Sequence, residues 1–376
     1  MEGALAHRGH PERGLRAVHV GGTNGKGSVS ALVERALREA GFRTGHFTSP
    51  HLHRWVERVR VDGEPLAEDE AAARIESVLD DPALSDLSFF EATTLAAFEA
   101  FRDAGCDVVV LEVGLGGRLD STNVVTPLAS VVTNVSLEHT HILGDTIEAI
   151  AKEKAGIFKP GVPAVVGDPG EARAILAREA EAMGALPRFP VAEPPPVGLL
   201  GPHAAENARV AYAAVEALRE RGLALPDDAV RRGFAEAVWP GRCETIATSP
   251  EILVDAGHNP AGCAALARYL ETLPPRRTVL LFGAMEDKDH EGMLAPFDGV
   301  VSARVYALPK MRRAGDPARL AEVRPGEVAA TIEEGLARAL ALAGDAGRIV
   351  VCGSIFVLAE VRARVLGIEA DPPIAM

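Results

Sequence analysis

The stretch from Ala17 to Ala40 constrains this chain more than any other part of it. Val18-His19-Val20-Gly21-Gly22-Thr23-Asn24-Gly25-Lys26-Gly27-Ser28 joins a short apolar run to a glycine-rich turn bearing one lysine. Ala17 to Val20 reads as a buried strand, and Val29, Leu32, Val33, Ala36, Leu37 and Ala40 then recur at helical spacing. The turn therefore lies at a helix N-terminus, where unpaired N–H groups and the positive end of the helix dipole attract an anion. Its glycines let the backbone approach a phosphate, Lys26 adds charge, and the Ser28 hydroxyl can reach a magnesium ion. The strict phosphate-loop pattern has a glycine five residues before Gly25 and a Ser or Thr directly after the lysine, but Val20 and Gly27 stand there. A plain glycine-rich connector is the competing reading of this segment taken alone.

A chain of 376 residues is long for one core, and a prior of roughly 100 to 200 residues per domain predicts two. No apolar run approaches the roughly 18 residues of a membrane span. Met1 to Glu12 lacks the basic-then-apolar order of a signal peptide, so a cytoplasmic address is expected. Cys106, Cys243, Cys263 and Cys352 are far apart and have no histidine at metal-finger spacing, which predicts buried free thiols. The formal charge of −14 argues against non-specific nucleic-acid binding. Any polyanion must then be met by local groups, such as loop N–H donors, Lys26, Arg118, Arg242 or a metal ion.

Strands near 17–20, 107–111, 129–133 and 163–166 alternate with helices near 26–40, 68–79, 90–103 and 146–157, a pattern that predicts a parallel sheet covered by helices. After the break at Glu193-Pro194-Pro195-Pro196 a further helix is expected over 205–220. Trp239-Pro240-Gly241 is a second break, beyond which strands are expected near 251–254, 278–282, 303–307 and 348–352. Helices are expected there near 261–272, 328–343 and 355–365. The predicted domains are 1–239 and 240–376.

Several strand ends carry chemistry. Asp107-Val108-Val109-Val110-Leu111-Glu112 would place the Glu112 carboxylate at the carboxyl edge of the sheet, where open α/β folds bind ligands, and Gly114, Gly116 and Gly117 follow it. Leu119-Asp120-Ser121 ends the same run. Val131 to Thr140 brings Glu138 and His139 to another strand end. Thr48-Ser49-Pro50 stands where a second strand should end, with a Ser-Pro turn as the bland reading. Ser88-Phe89-Phe90-Glu91 suits both a flat heterocycle and a helix start with a capping box. Within Glu148 to Gly161, Lys152 has Glu148 one turn back as an ion partner, whereas Lys154 has Ile150 there. Past the second break, Pro240-Gly241-Arg242 and Val254-Asp255-Ala256-Gly257-His258-Asn259-Pro260 again put polar groups at a strand end.

Gly-Thr-Asn-Gly-Lys-Gly-Ser, the run from Leu111 to Asn123, and the segments around His139, Lys154, Arg242 and Asp255 together resemble the Mur ligase superfamily. The likeness is to its folylpolyglutamate and dihydrofolate synthases, and it runs from about residue 17 to 365. The resemblance implies a P-loop NTPase-like α/β domain with a largely parallel sheet, plus a smaller Rossmann-like α/β domain. It implies ATP contacts from Thr23, Asn24, Gly25, Lys26, Gly27, Ser28, Asn207, Arg242 and Asp255, with the nucleotide in a cleft between the domains. By the same resemblance Ser49, Glu112 and His139 hold magnesium, and Lys154 is carbamylated into an anionic ligand. Ser88, Phe89, Phe90, Glu91, Leu119, Asp120 and Ser121 line the pterin site, and His258 lies near the reacting centre with Lys26. Glu138 stands where an aspartate is usual, and Ala204 replaces a glutamine common after Gly-x-His. The 20 residues before Gly21 and the segment Ala185 to Pro202 are both shorter than usual, so a thinner pterin-side wall and the loss of a small β element are expected.

The resemblance thus implies an ATP-dependent ligase that adds L-glutamate to dihydropteroate, a folate, or both through an acyl phosphate. A monomer that binds neither nucleic acid nor membrane is expected. Another Mur-type amide ligase, such as a muropeptide synthetase, and an NTPase switch without ligase activity are the alternatives.

Overall fold

The computed structural model describes residues 1–372 and divides into two compact units. The first comprises Met1–His51, Trp55–Leu199 and Ala204–Val238; the second comprises Leu52–Arg54, Leu200–His203 and Trp239 onward. No helix among the described residues is long and apolar enough to cross a membrane.

The first unit is built on eight strands: β1 (Ala17–Gly21), β2 (Thr44–Phe47), β3 (Val59–Val61), β4 (Glu64–Pro65), β5 (Val108–Glu112), β6 (Ala129–Val132), β7 (Pro163–Val166) and β8 (Leu186–Arg188). Their order is β4-β3-β2-β5-β1-β6-β7-β8, parallel except where β3 pairs with β2 and β4. Both faces are covered. Val18 and Val20 of β1 and Val108 and Val110 of β5 pack with the helix Lys26–Glu39 on one side, while Ala17, Val109 and Leu111 pack with the helix Phe89–Asp103 on the other. This period-2 division is what a doubly covered parallel sheet requires of its strands. The hairpin β3–β4 has no counterpart in the sequence reading, because its strands are three and two residues long and show no periodicity of their own.

The second unit has β9 (Glu244–Thr248), β10 (Glu251–Val254), β11 (Thr278–Phe282), β12 (Ala303–Ala307), β13 (Glu327–Ala329) and β14 (Arg348–Cys352), in the order β13-β12-β11-β14-β10-β9. Only β9 runs antiparallel to its neighbour. The helix expected from 328 starts at Ile332, because residues 327–329 pair with β12 and Thr331 caps the helix that follows. Cys243, Cys263 and Cys352 are buried together in this unit, whereas Cys106 is only half-buried, at the turn before β5. The expectation of a buried thiol fails at Cys106 because the residue sits between a helix end and a strand start.

Candidate functional site

In the first sheet, β1 is flanked by β5 and β6, and the register sets Val20 beside Glu112 and Gly21 beside Val132. The carboxyl ends of these three central strands are therefore level. Ligands of open α/β sheets bind at such a place, where successive connections leave in opposite directions. The turn after β1 is held by the end of β6. Thr23 N donates to Asn134 O at 2.9 Å, Asn24 N to Asn134 Oδ1 at 2.9 Å, and Thr133 Oγ1 to Asn24 O at 2.6 Å. Ser136 N donates in turn to Thr23 Oγ1 at 3.1 Å. Thr133, Asn134 and Ser136 thus hold this turn, although sequence reasoning valued their segment for Glu138 and His139. Their polar run after an apolar strand was the available signal.

Gly25 caps the helix Lys26–Glu39 in the left-handed region, at φ +81°, with the Asn207 side chain against it. A Cβ there would collide with the Asn207 amide, so this position needs glycine for both conformation and space. Lys26 Nζ donates to the carbonyls of Gly22 at 3.2 Å and Thr23 at 3.0 Å, which folds the ammonium over its own loop. Ser28 is buried beneath the turn. Thr23, Asn24, Gly25, Lys26, Gly27, Ser28 and Asn207 are therefore neighbours around one turn, whose Thr23 and Asn24 N–H groups are taken by Asn134 and whose Lys26 ammonium rests on the loop's own carbonyls.

Glu112, 5% exposed at the end of β5, accepts from Ser49 N at 3.3 Å. Lys154, 4% exposed on the helix Ile147–Ala155, has a pKa lowered to about 7, first by burial and then by the charge of Lys26, with Glu138 opposing. Lys152 makes the surface pair with Glu148, at 2.9 Å. His139 holds a left-handed backbone, φ +50°, before the short helix Thr140–Leu143. The buried Glu112 carboxylate, which accepts from the backbone N–H of Ser49, offers the oxygen that a small divalent cation prefers. A neutral lysine amine fits carbon dioxide addition.

Ser88 and Glu91 form a reciprocal capping box at the start of the helix Phe89–Asp103, and Phe90 packs against Phe47, ring centroids 5.8 Å apart. A Cβ at Gly114 would strike the Phe90 ring, so the glycine run after β5 and the aromatic segment touch. Leu119 is 80% exposed. Ser121 Oγ lies 2.7 Å from Thr94 Oγ1. Asp120 accepts from Gly114 N and Leu115 N at 2.9 Å each and from Thr122 N at 3.0 Å, so both its oxygens already organise this loop. Burial raises its pKa against those donors.

In the second unit Asp255, at the end of β10, accepts from Cys243 N at 2.9 Å and Gly257 N at 2.8 Å. Burial, and next the Asp255 carboxylate, push the Cys243 thiol far up. His258 Nδ1 meets Ala256 O at 2.8 Å, and Asn259 caps the helix Pro260–Thr272. His203, Cys243 and Asp255 converge with ligand atoms within 4.8 Å of one another, a juxtaposition that linear spacing concealed. Arg242 is half-buried beside Cys243.

Residues 20–167 match the Mur ligase middle domain, and residues 241–355 match the Mur ligase glutamate ligase domain. The dihydrofolate synthase/folylpolyglutamate synthase of Bacillus subtilis is 34% identical over 413 residues, covering 97% of this chain and 94% of that protein. A probable bifunctional folylpolyglutamate synthase/dihydropteroate synthase of Haloferax volcanii is 36% identical over 95% of this chain, which spans only 47% of that protein. Among solved structures, the bifunctional folylpolyglutamate synthase/dihydrofolate synthase of Yersinia pestis with AMPPNP and a Mn ion superposes with a TM-score of 0.88. It is 32% identical, with 96% of this chain and 92% of that one covered.

Proposed function

The chain belongs to the folylpolyglutamate synthase/dihydrofolate synthase family of the Mur ligases, and on that premise we propose that it is an ATP-dependent, ADP-forming ligase joining L-glutamate to dihydropteroate, a folate, or both. The observation that carries this reading is the meeting, at one sheet edge, of a phosphate-type turn, a buried carboxylate and a buried lysine with a pKa near 7. The loop N–H groups and Lys26 bind the ATP phosphates, with Asn207 against the turn. Arg242 and Asp255 of the second unit are assigned to the nucleotide as well. Ser49, Glu112 and His139 would hold magnesium, which when bound neutralises charge on the transferred phosphoryl group. Lys154 as a carbamate adds an anionic oxygen to that set.

The acceptor carboxylate attacks the γ-phosphate, giving an acyl phosphate and ADP. The glutamate amine then displaces phosphate through a tetrahedral intermediate, with His258 near the reacting centre. Phosphorylation is needed because a free carboxylate is a poor electrophile. Phe89 and Phe90 stack the acceptor ring, with Ser88, Glu91, Leu119 and Ser121 around it, and Asp120 shapes the loop that bears them. Residues 1–239 carry ATP and pterin binding and 240–376 carry glutamate binding in this reading, which also takes the enzyme as a cytoplasmic monomer. Purified protein with ATP, magnesium, labelled glutamate and either dihydropteroate or tetrahydrofolate tests it. Glutamate incorporation with both acceptors makes a bifunctional synthase, and incorporation with one assigns the branch. ATP hydrolysis without product from either acceptor overturns the reading.

A further inference from the structure

Arg58 is only 3% exposed and ends the short 3-10 turn Trp55–Arg58 that leads into β3. Its Nε donates to His51 Nδ1 at 2.8 Å, and its guanidinium carbon lies 5.3 Å from the centroid of Phe89. The charge is felt by Glu112 without a direct ion pair between them. Burial lowers its pKa to about 10, so the group remains cationic at neutral pH. Among the described residues, neither Nη nitrogen has a hydrogen-bond acceptor, and neither is sealed from solvent. A guanidinium held in place with its Nη pair open can receive an anion there, and the planar fork matches a carboxylate through two parallel hydrogen bonds.

The neighbours select the anion. Phosphate is met on the far side of Glu112 by the turn after β1 and by Lys26. Arg58 instead lies against the half-exposed Phe89 ring, next to the Phe47–Phe90 pair that borders the glycine run after β5. An aromatic face beside an open guanidinium suits a molecule with an aryl ring and a carboxylate. We propose that Arg58 is the residue that receives the acceptor's carboxylate, held in place by His51 and Phe89. This rests on the glutamate-ligase reading above, and the acceptor offers such a group in two forms: the carboxylate to be phosphorylated, common to pteroate and folate, or the second carboxylate that only a folate carries.

Steady-state kinetics of Arg58→Gln and Arg58→Lys with dihydropteroate and with tetrahydrofolate separate these cases. The acceptor KM of Arg58→Gln is expected to rise about 10- to 100-fold, with KM for ATP and glutamate unchanged. Lysine should recover part of the loss, because it keeps the charge and lacks the fork. An equal rise with both acceptors identifies the reacting carboxylate, and a rise confined to the folate identifies the second one. An unchanged acceptor KM in both variants overturns the proposal, whatever happens to kcat or melting temperature, as does a rise confined to the ATP KM. Should Arg58→Gln fail to fold, Arg58→Lys carries the same comparison at smaller amplitude. If the unmodified protein transfers no glutamate to either acceptor, the functional reading falls by itself. Direct titration with pteroate then decides the role of Arg58: binding weakened in Arg58→Lys supports it, and equal binding overturns it.

Discussion

Lys154 illustrates how burial alters the chemistry of a single side chain. On a surface helix it would be one more ammonium, like Lys152 two residues before it in its pair with Glu148. Buried and facing Lys26, it titrates near 7, so the amine is charged below that pH and increasingly neutral above it. Only the neutral amine adds carbon dioxide. Turnover is therefore expected to rise as pH passes upward through about 7 and to fall when bicarbonate is stripped from the buffer. Labelled bicarbonate should give a carbamate signal that is absent in Lys154→Ala; a flat pH profile with no such signal would contradict the assignment. Lys26→Ala and Glu112→Ala remove the cation proposed to meet phosphate and the buried carboxylate. Each should lower turnover by about two or more orders of magnitude while the far-ultraviolet dichroism stays native. Near-normal ligation by either variant would sink the site assignment.

At the level of elements, the turn after β1 works because three separate segments hold it. The left-handed cap at Gly25 belongs to the helix Lys26–Glu39, Thr133, Asn134 and Ser136 bond the turn from the end of β6, and Asn207 lies against it from a third segment. Gly25→Ala imposes about 1–2 kcal/mol of backbone strain, and its methyl also displaces Asn207. An ATP KM raised about tenfold or more is expected, with little change in acceptor KM at saturating ATP; calorimetric titration with an ATP analogue checks it. The loop after β5 follows the same logic, since Asp120 gathers the N–H groups of Gly114, Leu115 and Thr122 and so brings the glycine run against Phe90.

Across the whole molecule, the net charge of −14 means that no general field draws in ATP or a folate, so binding must come from the clustered donors just described. Each unit also has its own core. Leu281 of β11 is fully buried among Val279, Val305 and Val351, and Leu281→Ala should cost about 2–5 kcal/mol. Hydrogen exchange should accelerate in β11, β12 and β14 while β1 and β5 keep their protection; uniform acceleration would show the cores to be energetically one. The long elements were legible in the sequence because their periodicity is local. The helix Glu68–Leu79 and the strands Glu251–Val254 and Thr278–Phe282 have the bounds that their apolar spacing predicts. The phosphate turn was legible too, since glycines and a lysine at a strand-to-helix junction act through their own backbone. Short paired strands such as β3, β4 and β13 were not, because two or three residues acquire extended structure only from a partner strand. By itself the sequence determined the longer strands and helices and which strand ends carry charge. Only the tertiary structure decided that Lys154 is buried within reach of the Lys26 charge, that Arg58 lies over Phe89 and feels the Glu112 charge, and that His203 meets Cys243 and Asp255. Burial and charge proximity are properties of segments far apart in the chain, and no local pattern encodes them.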